Sequence, residues 1–288
     1  MTDTLPTPTY RWAVITFLDI LGFREWVNTG EPADIHRVLN RLRSFAAGPD
    51  DLEDSTPPGG SMAFEMTRSI AFSDSIVRIR FFDTDYSSGA LFHEIINLLH
   101  AQGELISDNV LLRGGVTVGR VYLEGDMVFG PGFIRAYDLE SQFANFPRIV
   151  IGPEAFGALR QDPRLVADHH DIEDEVHYLR SLLHRGEDGF WYIDYLHGML
   201  GEMDYPEHFP GLVAQHRAYI IDSANAAPPN SRVLQKFLWL AGYLNSVVNR
   251  VGLADLRITQ ADIPALDDLA ERPPYADVPD PPEVHEED

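Results

Sequence analysis

Two aspartates occupy positions from which carboxylates can do chemistry. Asp19 follows the apolar, β-branched run 11–18 (RWAVITFL), and Asp74 sits in the turn Ser73-Asp74-Ser75 between two apolar runs. Ends of strands and turns are where a rigid scaffold presents functional groups. If the first strand lies beside this hairpin, the two carboxylates converge. Two carboxylates are enough for a hard divalent ion that keeps some waters and takes its other ligands from substrate phosphates. The plainer alternative is that Asp19 caps the following helix and Asp74 is a turn residue. After Asp19, Ile20, Leu21, Gly22 and Phe23 leave a strand and enter a helix, so their backbone N–H groups could cradle a phosphate. Arg113, Arg120, Arg135 and Arg148 supply candidate cations, although a structural ion pair is the commoner fate of an arginine.

The elements that must position these groups follow from hydrophobic spacing. The run 11–18 reads as a buried strand. Ile35, Val38, Leu39, Leu42 and Phe45 mark a helix, and 47–61 is a loop by composition. Residues 68–82 form a hairpin whose second strand alternates Arg78 and Arg80 with Val77, Ile79 and Phe81, giving it one core face. A helix at 91–105 and a glycine-bearing, bent strand at 111–123 come next. Gly130-Pro131-Gly132 opens a helix to about 146, followed by a strand at 148–151, a helix at 153–159 and a strand at 190–195. Segment 168–177 contains His169, His170 and Asp171 but is so acidic that a solvated loop outweighs a metal site. Helices at 212–222 and 232–251 follow, and the proline-rich acidic tail from 272 reads as disordered. The order implies an α+β sandwich of the split βαβ kind, with helices covering one face.

Composition narrows the chemistry further. The 288 residues are 44% hydrophobic, which suffices for a substantial core. There is no cysteine, which excludes disulfides, thiolate metal sites and cysteine nucleophiles. The net charge of −23 argues against nucleic acid or an anionic membrane as partner. Lys236 is the single lysine, so a P-loop is excluded. Residues 1–9 lack the features of a signal peptide, and the apolar stretch 237–244 is too short to span a bilayer, so the cytoplasm is the expected location.

The motifs taken in order resemble a known family. Phe17-Leu18-Asp19-Ile20-Leu21-Gly22-Phe23 resembles the first metal motif of class III nucleotidyl cyclases, and Phe72-Ser73-Asp74-Ser75 their second metal aspartate. Leu112-Arg113-Gly114-Gly115-Val116-Thr117-Val118-Gly119 is similar to their central strand. Phe129-Gly130 to Ser141, then Arg148-Ile149-Val150-Ile151, is similar to their glycine turn, helix and strand. The likeness covers roughly residues 10–195. The purine-reading set is missing: its positions fall on Ile70 and Val128, and the transition-state pair on Ile134 and Asp138. Arg113-Gly114-Gly115, Phe129-Gly130-Pro131, 135–141 (RAYDLES), Ala144 and Pro147-Arg148-Ile149 resemble the pyrimidine cyclases of Pycsar anti-phage systems.

The resemblance implies a class III cyclase-like α+β fold (a ferredoxin-like split βαβ sheet) over 1–200, a helical extension over 201–271 and a disordered tail over 272–288. It implies a lyase that converts UTP, or alternatively CTP, to the 3′,5′-cyclic monophosphate and pyrophosphate. The product would act on a separate cyclic-nucleotide-activated effector. Two Mn²⁺ or Mg²⁺ ions would be held by Asp19, Asp74 and the Ile20 carbonyl. Arg135 would meet the transition-state charge. Substrate would be bound by Ile20, Leu21, Gly22, Phe23, Arg113, Tyr137 and Arg148. Sites would lie at a homodimer interface, with the metals from one chain and the 130–148 region from the other. A non-catalytic nucleotide sensor on the same fold, and a purine cyclase with a rebuilt pocket, are the competing expectations.

Overall fold

The computed structural model describes residues 8–46, 67–72, 74–83, 89–125 and 127–269. The loop 47–61, the tail from 272 and Ser73 lie outside them. The strands are β1 (Arg11–Ile20), β2 (Thr67–Phe72), β3 (Ser75–Phe81), β4 (Leu112–Glu124), β5 (Met127–Phe129), β6 (Ile149–Ile151), β7 (Leu183–Arg185) and β8 (Trp191–Ile193). They form a sheet in the order β2-β3-β1-β4-β6-β8-β7, with β5 folded back on β4. β1 is antiparallel to both β3 and β4, and β6 is parallel to β4. The helices are α1 (Phe23–Thr29), α2 (Pro32–Ala46), α3 (Ala90–Leu105), α4 (Pro131–Asp138), α5 (Pro153–Gln161), α6 (Ile172–Ser181), α7 (Tyr195–Glu202), α8 (Phe209–Ala226) and α9 (Arg232–Arg250). The architecture is α+β, as the element order implies.

Helices lie on both faces of the sheet, not on one. Val14, Leu18 and Ile20 of β1 join the large core with Leu91, Ile95, Leu98 and Leu99 of α3. Ala13 and Ile15 join a smaller core against Ala136 and Phe133 of α4. A strand buried on both sides needs a continuous apolar run, which is what 11–18 provides. The glycines of β4 let α4 lie directly on the strand. A Cβ on Gly119 would stand 2.8 Å from the Gly132 Cα, and one on Gly115 would stand 2.3 Å from the Leu139 Cβ.

The second face of β3 is also buried, against expectation. Arg78 and Arg80 are 3% and 5% exposed. Glu94 of α3 neutralises both. Its Oε1 accepts from Arg78 Nε at 2.7 Å and from the Thr16 hydroxyl at 2.8 Å, and its Oε2 accepts from Arg78 Nη2 at 3.0 Å and Arg80 Nε at 3.4 Å. Burial alone would raise the Glu94 pKa, but Arg78, Arg80 and Thr16 together hold it at about 2. Thr16 and Arg78 are cross-strand partners. Glu94 therefore clamps β1 and β3 in register from above.

Two further expectations are corrected, and two short strands add to them. Segment 168–177 is not a loop: Asp171 accepts from the Glu173 and Asp174 N–H groups and starts α6, and Glu175 is buried against His170. The helix after Gly130 ends earlier than 146, because α4 passes into a π-helical turn at Leu139–Phe143. β5 and β7 have only three residues each, too short for a periodic signal.

The two C-terminal helices pack on the same large core as the sheet. Tyr243 of α9 donates to Asp194 at 2.8 Å, and Arg250 donates to the other Asp194 oxygen at 2.7 Å. Trp239 stacks on Tyr243, and its ring meets Tyr192 of β8 edge-on. Among the described residues no helix is long and apolar enough to cross a membrane.

Candidate active site

Antiparallel pairing sets the site. Asp19 stands opposite Ser75 on β3 and opposite Arg113 on β4. Asp74 immediately precedes β3, so the hairpin turn delivers its carboxylate to the Asp19 carboxylate. Burial raises the Asp19 pKa; the Arg113 hydrogen bond and charge oppose that rise, while the charge and a hydrogen bond of Asp74 add to it. The two acids, fifty-five positions apart, thus sit side by side at one end of the sheet. Arg113 Nε donates to Asp19 Oδ2 at 2.8 Å.

A third carboxylate, which sequence reasoning missed as a site residue, completes the cluster. Arg113 Nη2 lies 2.7 Å from Glu140 Oε1. That contact is a close ion pair without hydrogen-bond alignment, so Glu140 Oε1 is buried with no hydrogen-bond partner among the described residues. Burial raises the Glu140 pKa; Arg113 opposes it, and Asp19 and Asp74 reinforce it. Glu140 reaches this place through the π turn, whose wider coil turns both Leu139 and Glu140 inward. An α-helical reading of the same residues carries no such signal.

Asp74 adds a third carboxylate to the two that hold Arg113, which leaves a deficit of positive charge. Burial and the neighbouring carboxylates make Asp19 and Glu140 bind protons more readily than exposed carboxylates do. A divalent cation relieves the same strain, and an orphaned carboxylate oxygen is available beside Asp19 and Asp74. The donor set therefore fits a hard cation that completes its shell with water or phosphate oxygens. It does not enclose one: among the described residues no three acids or imidazoles converge into a metal cage.

The other expected residues divide. Tyr137 packs edge-on against Phe17, two residues before Asp19, at 5.4 Å, and remains half exposed beside the cluster. Ile20 is buried at the end of β1. Gly22 takes a left-handed conformation (φ 81°) that turns the chain into α1. The Leu21 N–H donates to the Leu111 carbonyl at 2.8 Å, so it is not available to a phosphate. Phe23 is buried and packs edge-on against Trp26.

Arg135 is not at the carboxylates of its own chain. Its Nε donates to Glu154 Oε1 at 2.9 Å, and Thr117 donates to the same oxygen at 2.6 Å. Thr117 is four residues along β4 from Arg113, roughly 13 Å at the rise of a strand. Arg148 is 2% exposed, ion-paired with Asp188, and lies among the Phe146, Tyr192 and Trp239 rings. Its side chain holds the core together and cannot reach a substrate.

Lys236 is the second residue that sequence reasoning passed over. It lies half-buried on α9, and the charges that act on it, beyond its burial, are Arg113, Asp19 and Arg232. The sole lysine of the chain thus lies within electrostatic reach of Asp19 and Arg113.

No protein-family model matches the chain. No curated protein matches it either. Solved structures do. The chain is similar to the catalytic core of a rhodopsin-guanylyl cyclase with converted specificity in complex with ATPαS. That likeness has 14% identity and a TM-score of 0.37, and covers 52% of this chain and 82% of that one. It is also similar to an adenylate/guanylate cyclase/hydrolase from Silicibacter pomeroyi, with 19% identity and a TM-score of 0.37 over 54% of this chain and 83% of that one.

Proposed function

We propose that the protein is a pyrimidine nucleotide cyclase that converts UTP to 3′,5′-cyclic UMP and pyrophosphate, acting in the cytoplasm as a signal source in anti-phage defence. The observation that carries the cyclase reading is the side-by-side placement of Asp19 and Asp74 at the end of a β1–β3 pair. Asp19 and Asp74, with Glu140 beside them, would hold divalent Mg²⁺ or Mn²⁺. When bound, such ions lower the pKa of the ribose 3′-hydroxyl and neutralise phosphate charge. The 3′-oxygen attacks the α-phosphorus, the bond from that phosphorus to the bridging oxygen breaks, pyrophosphate leaves, and the hydroxyl proton passes to water. The chain's own residues position and stabilise charge. Arg113, pinned between Asp19 and Glu140, presents a fixed cation at the cluster.

The pyrimidine preference rests on the sequence resemblance and on the apolar residues at the purine-reading positions, Ile70 and Val128. A homodimer is part of the proposal. Tyr10, Phe129 and Ile134 are exposed around an open groove of about 570 Å³ that Arg135 also lines. A second copy on this face would bring its Arg135 toward a site that the same chain's Arg135 does not reach. The engagement of Arg135 by Glu154 favours one rival, a non-catalytic nucleotide sensor.

The test is incubation of the purified chain with Mn²⁺ and each of the four ribonucleoside triphosphates, with products separated by chromatography. Cyclic UMP, or alternatively cyclic CMP, is expected to dominate. Asp19→Asn and Asp74→Asn should each lower its formation by about a hundredfold or more while leaving the fold intact. A chain that binds UTP but yields no cyclic nucleotide would establish the sensor in its place.

A further inference from the structure

Strand register puts a cation of the chain's own against the first carboxylate of the site. Asp19 on β1 and Arg113 on β4 are direct cross-strand partners. Arg113 Nε donates to Asp19 Oδ2 at 2.8 Å, and its Nη2 lies 2.7 Å from Glu140 Oε1. Ser75, which follows Asp74, is the partner of Asp19 on the opposite flank. A divalent ion shared by Asp19 and Asp74 needs the Asp19 carboxylate, and a guanidinium already holds it. Two cations therefore compete for one set of oxygens.

Exposure and packing decide which partner can move. The Arg113 side chain is 26% exposed, that of Asp19 16% and that of Glu140 5%. An ion arriving from water thus meets Arg113 first. The backbone beneath has no room to yield. The Gly114 N–H donates to the Arg148 carbonyl at 3.1 Å, and a Cβ on Gly114 would stand 2.5 Å from the Phe17 carbonyl oxygen. Glu140 is fixed by the π turn, whose Leu139 lies directly on Gly115. Movement is left to the Arg113 side chain, and it has a place to go. Glu140 Oε1 is buried and accepts no hydrogen bond among the described residues, although Nη2 is close enough to give one. A turn of the guanidinium off Asp19 can align that contact. The hydrogen bond lost at Asp19 is then replaced at Glu140, and a buried acceptor gains its donor.

We infer that Arg113 is a gate on the cation site: it occupies Asp19 until a divalent ion displaces it, and Glu140 receives it as it leaves. The inference deepens the cyclase reading and rests on it for the role of the ion, whereas the displacement itself needs no nucleotide. The gate sets a threshold. A free ion must break a charge-assisted hydrogen bond of 2.8 Å as well as shed part of its own water, so it binds more weakly than the carboxylates alone would allow. The guanidinium is not expelled from the cluster, because Glu140 keeps it there.

Calorimetric titration of Mn²⁺ into the full chain, with no nucleotide present, is the test. Arg113→Met should raise Mn²⁺ affinity by about tenfold, the equivalent of about 1.4 kcal/mol. Loss of any nearby positive charge would act in the same direction, so Arg113→Lys separates the two causes. Lysine keeps the charge but lacks the planar fork that grips Asp19 and Glu140 together. A gate requires that Arg113→Lys also gain affinity, by about threefold or more, at low and high salt alike. Thermal melting within a few degrees of the parent would show that both variants are folded. The parent supplies a second readout: the Arg113 Nε–H resonance, identified by its loss in Arg113→Lys, should move as Mg²⁺ is added. Arg113→Lys affinity equal to the parent's, no Mn²⁺ binding to Arg113→Met at millimolar concentration, or an Nε–H resonance unmoved at Mg²⁺ saturation overturns the gate. A gain of affinity in both variants of a chain that makes no cyclic nucleotide keeps the gate and removes the cyclase reading. Unchanged affinity in both variants of a chain that does cyclise UTP does the reverse.

Discussion

Glu94→Gln tests whether the buried clamp beneath α3 holds the site together. The carboxylate has a pKa of about 2, against 4.5 for an unconstrained glutamate. At about 1.4 kcal/mol per pKa unit, that depression corresponds to about 3 kcal/mol of stability. Its sign is set by linkage: a depressed acid contributes stability that is present above pH 4.5 and lost as the pH falls through about 2. Gln keeps the shape but leaves Arg78 and Arg80 buried with no counter-charge, a change that typically costs about 3–5 kcal/mol. Urea unfolding followed by far-ultraviolet circular dichroism, repeated between pH 7 and pH 3, measures both effects. Glu94→Gln should lose stability by that amount at pH 7, and its gap to the parent should narrow as the pH falls. Replacing the cluster together (Thr16→Val, Arg78→Met, Arg80→Met, Glu94→Leu) should recover most of the loss, because no buried charge remains. A loss below about 1 kcal/mol, or a gap that does not change with pH, would refute the reasoning. The clamp also matters for function. Thr16 and Arg78 are opposite one another three pairs from Asp19 and Ser75, so releasing them frees the strand ends that carry Asp19 and Asp74.

Two further changes follow from the same packing. Gly115→Ala places a Cβ 2.3 Å from the Leu139 Cβ and 2.9 Å from the Ala136 carbonyl, so it should destabilise the chain by about 1–3 kcal/mol in urea unfolding and displace Glu140. His216, buried with Nε2 at 2.8 Å from the Tyr195 hydroxyl, has its pKa lowered by burial to about 4. A depressed histidine contributes stability that is present above its ordinary value of 6.5 and lost as the pH falls toward 4, so the parent should weaken across that interval and His216→Asn should not, as read by thermal melting at a series of pH values.

The fold was legible where the sequence carries period and punctuation. The run at 11–18, the hairpin around Asp74 and the helices α2, α3, α8 and α9 all announce themselves by apolar spacing. Pairing β1 with the hairpin was enough to bring Asp19 and Asp74 together, since β-strand register places a turn residue opposite a strand end. What stayed hidden depends on tertiary context. Arg78 and Arg80 alternate with apolar residues, which reads as a solvated face until Glu94 arrives from a helix sixteen and fourteen residues later. Arg148 has the same type as a substrate-binding arginine, and only the aromatic rings around it and the carboxylate of Asp188 show that it is core. The acidic 168–177 segment reads as solvated until Asp171 caps it as a helix and His170 meets the buried Glu175.

Glu140 reaches the site by a route that no local pattern encodes. It depends on a π turn that adds a residue to the coil. It lies at the end of the sheet where Asp19 meets Arg113. The charges there have a definite logic. Asp19 and Glu140 share Arg113, and the charge of Asp74 acts on both acids. One guanidinium does not balance three carboxylates, so the cluster favours a divalent cation: Mg²⁺ should raise the melting temperature of the parent chain, and Asp74→Asn should abolish that gain.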